Sequence, residues 1–135
     1  MADLETTILT IFASAFLSGL AGIAISEWYH KRNERRREKF EILKQLMGNR
    51  FDLGGNAFSE ALNSVFIVFH DSTEVKKALM EFHRISMNPS RTNTDSNQRL
   101  LELFKAMSKD LKVSTEPLTD NYFLEAYNIR QPQRP

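Results

Sequence analysis

From Thr6 to Ser26 the chain reads TTILTIFASAFLSGLAGIAIS, without one ionisable residue. A helix needs about 20 mostly apolar residues to cross a hydrocarbon core, so this run predicts a transmembrane helix. Its flanks give it a direction. Asp3 and Glu5 precede it, whereas Trp28, Tyr29, Lys31, Arg32, Arg35, Arg36, Arg37 and Lys39 follow it. Aromatic rings favour the headgroup boundary and excess positive charge stays on the cytoplasmic side, so the remainder of the chain is expected in the cytoplasm and the N-terminal side outside. The expected location is the inner, cytoplasmic membrane. The small residues Ala13-Ser14-Ala15 resemble a signal-peptide cleavage site, but a signal peptide carries its positive charge before a short apolar run, the reverse of what stands here.

The chain has 135 residues, leaving room after the span for one small helical domain. Charge is uneven along it. Glu27 to Arg50 holds eight basic and four acidic residues, while Phe51 to Pro135 holds ten against eleven. Basicity therefore belongs to the juxtamembrane stretch. With no cysteine, disulfides, thiol nucleophiles and cysteine-bound metals are excluded.

At about 100° per residue, Thr7, Thr10, Ser14, Ser18, Ala21 and Gly22 fall on one side of the membrane helix, and Ile8, Leu9, Phe12, Phe16, Leu20 and Ile23 on the other. Small residues at four-residue spacing let helix backbones approach, and hydroxyls hydrogen-bond across helices or to their own backbone. Thr7, Thr10, Ser14, Ser18 and Gly22 are thus the expected oligomer face and, in a wide enough ring, the lining of a weakly selective pore. Lys31, Arg32, Arg35, Arg36, Arg37 and Lys39 are the expected membrane-surface cations.

No helix breaker interrupts Ser26 to Met47, which predicts one helix running to about Leu53, about 70 Å long if regular. From Phe40 it turns amphipathic, with Phe40, Leu43, Met47 and Arg50 on one face. Arg50 continues an apolar seam and needs a partner; Asn63, expected to be buried beside Phe66 and Ile67, is the candidate. Gly54-Gly55 offer a positive-φ helix stop. Ala57 to His70 is apolar nearly all round and is expected to form the buried central helix. Asp71-Ser72-Thr73-Glu74 has the form of a capping box before a helix with Val75, Ala78, Leu79, Phe82 and Ile85 inward. Met87 to Asn97 reads as a polar loop. A fourth helix from about Ser96 to Val113 is expected to bury Leu100, Leu101, Phe104, Met107 and Leu111. Tyr122, Phe123 and Tyr127 fall in a last short helix before an extended tail from Arg130 to Pro135. The fold class is all-α: residues 1–27 a transmembrane helix, 28–39 a basic stalk, 40–128 a cytosolic helical bundle, and 129–135 a tail.

No reaction is written in these residues. His30, His70 and His83 form neither H-E-x-x-H nor a ligand set, and no nucleophile elbow, Walker loop or dinucleotide glycine motif occurs. No arginine precedes a histidine at the four-to-six-residue gap of one class of small helical ribonucleases. No catalytic, metal or cofactor residue is therefore assigned, and no enzymatic activity is expected. The basic stretch lacks interleaved base-stacking aromatics, so nucleic acid is not the expected partner.

Leu46-Met47-x-x-Arg50, Ala61-Leu62-Asn63, Phe69, Val75, Leu100-Leu101, Ala106-Met107 and Tyr127 resemble an uncharacterised bacterial and phage-borne family of small helical proteins with an N-terminal membrane helix. The resemblance spans roughly residues 40 to 128 and implies that Arg50 and Asn63 are family positions. The plan of the chain is also similar to the membrane accessory protein of type VI-B CRISPR systems. That likeness implies a ring-shaped pore lowering membrane potential in phage defence. The expected function is a homo-oligomeric, pore-like membrane protein in contact with lipid; the alternative is a membrane-tethered adaptor whose cytosolic domain binds a protein partner.

Overall fold

Five helices make up all the regular structure of residues 2–126, the residues described by the computed structural model. They are α1 Ala2–Gly48, α2 Asn56–Val68, α3 Thr73–Ser86, α4 Asn93–Asp110 and α5 Asp120–Leu124. Contacts divide the chain into a unit ending at Arg36 and one beginning at Arg37. Tyr127 and the expected tail lie outside the described residues.

The first unit is helix α1 up to Arg36. Its most apolar 18-residue window has a mean hydropathy of 2.2, and none of that window is buried. By length and composition this helix can cross a membrane.

The second unit is a helical bundle, and its most enclosed member is α4. Leu100, Leu101, Leu103, Phe104 and Met107 are buried along α4, and Leu111 just beyond its end. They meet Leu43 and Leu46 of α1, Phe58, Ala61 and Val65 of α2, Phe69 after it, Val75 of α3 and Phe123 of α5. The expected core face of α4 is present, with Leu103 added. By contrast, the expectation that α2 is the central helix is overturned. An all-round apolar helix of 13 residues can turn only one stripe inward; Phe58, Ala61 and Val65 take it, leaving Phe66 61% and Ile67 70% exposed.

Several helix ends differ from expectation for local reasons. α1 stops at Gly48, before the expected Leu53, and neither Gly54 nor Gly55 has a positive φ. Gly55 instead precedes α2 in extended geometry, where an added Cβ would stand 2.5 Å from Asp52 Oδ2 and 3.2 Å from the Asp52 carbonyl oxygen. Close approach to Asp52, not handedness, favours glycine there. Ser72 caps α3, its Oγ accepting from the Val75 N–H at 3.3 Å, so Asp71 and Glu74 form no capping box. The box lies further on: Thr92 Oγ1 accepts from the Asp95 N–H at 3.1 Å, while Asp95 accepts from the Thr92 N–H at 3.4 Å. It starts α4 inside the stretch expected to be a loop. At the other end of α4, Lys112 takes φ 55°, with Val113 N–H donating to the Ser108 carbonyl at 2.9 Å and Lys112 N–H to the Lys109 carbonyl at 3.1 Å. These two bonds define a Schellman stop, made here with lysine where glycine is usual.

Candidate functional site

The helical domain takes in α1 along a stripe of Lys39, Leu43, Leu46 and Arg50, spaced four, three and four residues apart. This stripe is rotated by about half a residue step from the one the apolar pattern indicates. Phe40, expected in the core, is 45% exposed, and Lys39, expected at the membrane surface, is 8% exposed. The reason lies in the partners of Lys39. Its Nζ is 2.7 Å from Asp71 Oδ1 and 2.9 Å from Asp110 Oδ2, and stands 5.3 Å from the ring centroid of buried Phe69. Asp71 sits in the α2–α3 turn and Asp110 ends α4, so one ammonium ties three parts of the bundle together. The aliphatic stem of a lysine packs like an apolar side chain, which lets it occupy a core position once its head is satisfied.

Electrostatics follow that geometry. Burial works against the Lys39 charge, but hydrogen bonds to Asp71 and Asp110, and the charges of both carboxylates, outweigh it, placing its pKa above the ordinary 10.5. The hydrogen bond from Lys39 holds Asp71 below its ordinary 3.8, with burial opposing.

At the other end of the stripe, Arg50 is half-buried and its partner is not Asn63, which is exposed. Instead Arg50 Nε and Nη2 donate to the Glu125 carbonyl at 3.3 and 3.1 Å, and Nη1 donates to the Met47 carbonyl. Its guanidinium carbon lies 5.4 Å from the Tyr122 ring centroid. Arg50 thereby holds the segment around α5 against α1. The expectation of a buried Arg50–Asn63 pair is corrected: α2 turns Asn63 outward with Phe66 and Ile67, while the carbonyl that ends α5 supplies the acceptor.

On the membrane-type part of α1, Thr7 Oγ1 donates to the Asp3 carbonyl at 2.6 Å, Thr10 Oγ1 to Thr6 at 2.7 Å and Ser14 Oγ to Thr10 at 2.8 Å. Each hydroxyl is satisfied on its own helix and keeps its lone pairs free of that bond. A Cβ built at Gly22 meets nothing within 4 Å, so the small face of the helix is open. Past the apolar run, Arg32 lies 5.4 Å from the Trp28 ring centroid, and Lys31, Arg32, Arg35, Arg36 and Arg37 are exposed.

His70 Nδ1 lies 3.0 Å from the Ile67 carbonyl, and among the described residues no group of three or more His, Cys, Asp or Glu could hold a metal ion. No curated protein and no solved structure matches the chain. A family description does match, over residues 3–128, a span that takes in both the apolar helix and the bundle with its two clamped cations. The chain belongs to DUF6680, a family of unknown function.

Proposed function

We propose that this chain is a single-pass membrane protein that self-associates through the small face of α1 and holds its helical domain in the cytoplasm as a docking module for another protein. The observation that carries the reading is the two-faced apolar helix. Ser14, Ser18 and Gly22 make a small, exposed face opposite bulky Phe12, Phe16, Leu20 and Ile23. A second such helix can approach closely along it, the main source of helix association in lipid. The orientation of the cations after the span supports a cytoplasmic domain in the inner membrane. On that domain, exposed Phe66 and Ile67 offer apolar surface to a partner.

A second reading is favoured by the row of hydroxyls. Thr7, Thr10, Ser14 and Ser18 could face a shared lumen and make a weakly selective pore, as the architectural likeness to the CRISPR accessory protein implies for phage defence. The inward bonds of Thr7, Thr10 and Ser14 weigh toward packing instead, because hydroxyls bonded within their own helix need no water.

The mass of the detergent-solubilised particle tests the shared premise. An assembly is expected, and Ser14→Leu, Ser18→Leu and Gly22→Leu together should reduce it to monomer; a monomeric native particle overturns both readings. Replacing residues 6–26 with an unrelated spanning helix then separates them. Docking survives the exchange, whereas conductance in planar bilayers does not.

A further inference from the structure

Directly after the apolar run, α1 gathers Lys31, Arg32 and Arg35, whose charges meet no acidic side chain among the described residues. At about 100° per residue, Trp28, Lys31, Arg32 and Arg35 fall within roughly a 100° arc of the helix, while Arg37 lies on the opposite side. Glu27, Glu34 and Glu38 are close in sequence. Yet among the described residues no acidic side chain forms an ion pair with Lys31, Arg32 or Arg35. The Arg32 cation stands 5.4 Å from the Trp28 ring centroid, and its N–H donors have no acceptor among those residues. Such a stack restrains the guanidinium without using its hydrogen-bond donors.

We infer that Trp28, Lys31, Arg32 and Arg35 form a binding site for the phosphate of an anionic lipid headgroup. The inference rests on the membrane-anchored reading above and adds a ligand to it. Three elements match that ligand. Trp28 follows the apolar run at the depth where indole rings sit in the interface. Two guanidiniums at three-residue spacing can each present paired donors to phosphate oxygens, and Lys31 adds a point charge on the same arc. Cations at this depth are drawn to an anionic leaflet, and a set confined to one arc concentrates that attraction on one headgroup. The same phosphate chemistry could be met by a soluble anion, so the test must distinguish the two sources.

Trp28 is the only tryptophan in the chain, which makes its fluorescence a direct report on the site. The full chain is placed in nanodiscs of phosphatidylglycerol and phosphatidylcholine in equal amounts, with one or the other lipid brominated on its acyl chains. Brominated phosphatidylglycerol is expected to quench Trp28 about twofold more than brominated phosphatidylcholine. Arg32→Gln with Arg35→Gln should abolish the preference, whereas Arg37→Gln, which removes charge from the far side, should preserve it. Equal quenching by the two lipids in the native chain, or loss of preference in Arg37→Gln, overturns the site. Persistence of the preference in excess inorganic phosphate supports the lipid; its loss assigns the site to a soluble phosphate and overturns the lipid. No quenching by either lipid overturns the membrane reading itself.

Discussion

Lys39 and Arg50 close opposite ends of the seam by which α1 joins the helical domain, each with its cation beside an aromatic ring, Phe69 at 5.3 Å and Tyr122 at 5.4 Å. Between them Leu43 and Leu46 supply the apolar contact. The two ends are not equivalent. Lys39 is buried and answered by two carboxylates, whereas Arg50 is half-buried and answered by carbonyl oxygens. Charge dominates at the first end and segment docking at the second.

Lys39→Met keeps the packed stem and removes the charge. It leaves Asp71 half-exposed and Asp110 more enclosed without their cation. Asp71 can recover water, so the cost falls below that of a fully buried pair, at about 1 to 3 kcal/mol. The pH profile of the native protein carries the sign. The pKa of Asp71 is depressed in the fold, so its contribution is present above its unfolded value of about 3.9 and is lost as pH falls through the lower folded value. Lys39 is raised, so its contribution is full below about 10.4 and lost as pH rises through the folded value. Melting temperature of the detergent-solubilised chain against pH should show a plateau with both flanks, and Lys39→Met should lower the plateau and flatten the flanks.

Arg50→Ala should cost about 1 to 2 kcal/mol, because carbonyl hydrogen bonds and a ring contact are lost while no carboxylate is stranded. Its signature is local. Hydrogen exchange at Asn121 to Glu125 should accelerate before exchange in α4 does, since the guanidinium holds the Glu125 carbonyl. Asn63→Ala, on the exposed face of α2, should stay within about 0.5 kcal/mol of the native protein. A large loss at Asn63 would restore the pairing that the fold does not display.

These two cations also mark how far the sequence could be read. The apolar spacing of Leu100, Leu101, Phe104, Met107 and Leu111 announces α4, because periodicity alone decides which side of a helix is buried. Lys39 is opaque to the same method, since its burial depends on Asp71 and on Asp110, the latter 71 residues away. A lysine following a run of arginines after an apolar span reads as a membrane-surface charge until those carboxylates are placed beside it. α2 fails for the opposite reason. Periodicity identifies a helix there, but a segment apolar on every side does not say which side the bundle covers, and Phe66 and Ile67 are left outside. The Thr92-x-x-Asp95 box was present in the sequence within a polar stretch, where composition masked it.

Lys112→Gly should stabilise the domain. The αL geometry at this Schellman position costs a non-glycine residue about 1 to 2 kcal/mol, and the exposed Lys112 side chain makes no ion pair or side-chain hydrogen bond among the described residues to offset it. Part of the gain returns as the greater unfolded-state entropy of glycine, leaving about 0.5 to 1 kcal/mol net. Thermal melts of the two proteins side by side provide the measurement; a lower melting temperature for the glycine variant would contradict the role of Lys112 as a helix stop.

The outward face of α2 separates the adaptor from a purely self-associating assembly. Phe66→Gln with Ile67→Gln touches no buried core position, so stability should move by no more than about 1 kcal/mol. Any effect on function would then report on surface chemistry. A photo-crosslinking side chain at Ile67 in cells should give an adduct heavier than the chain by a mass other than its own, while one at Ser18 should give an adduct at twice the mass of the chain. Doubling from both positions would mean that α2 packs against a second copy and that the domain takes part in self-association. Doubling at Ser18 with no adduct at Ile67 would leave the membrane helix as the associating element and remove the support that Phe66 and Ile67 lend to the adaptor.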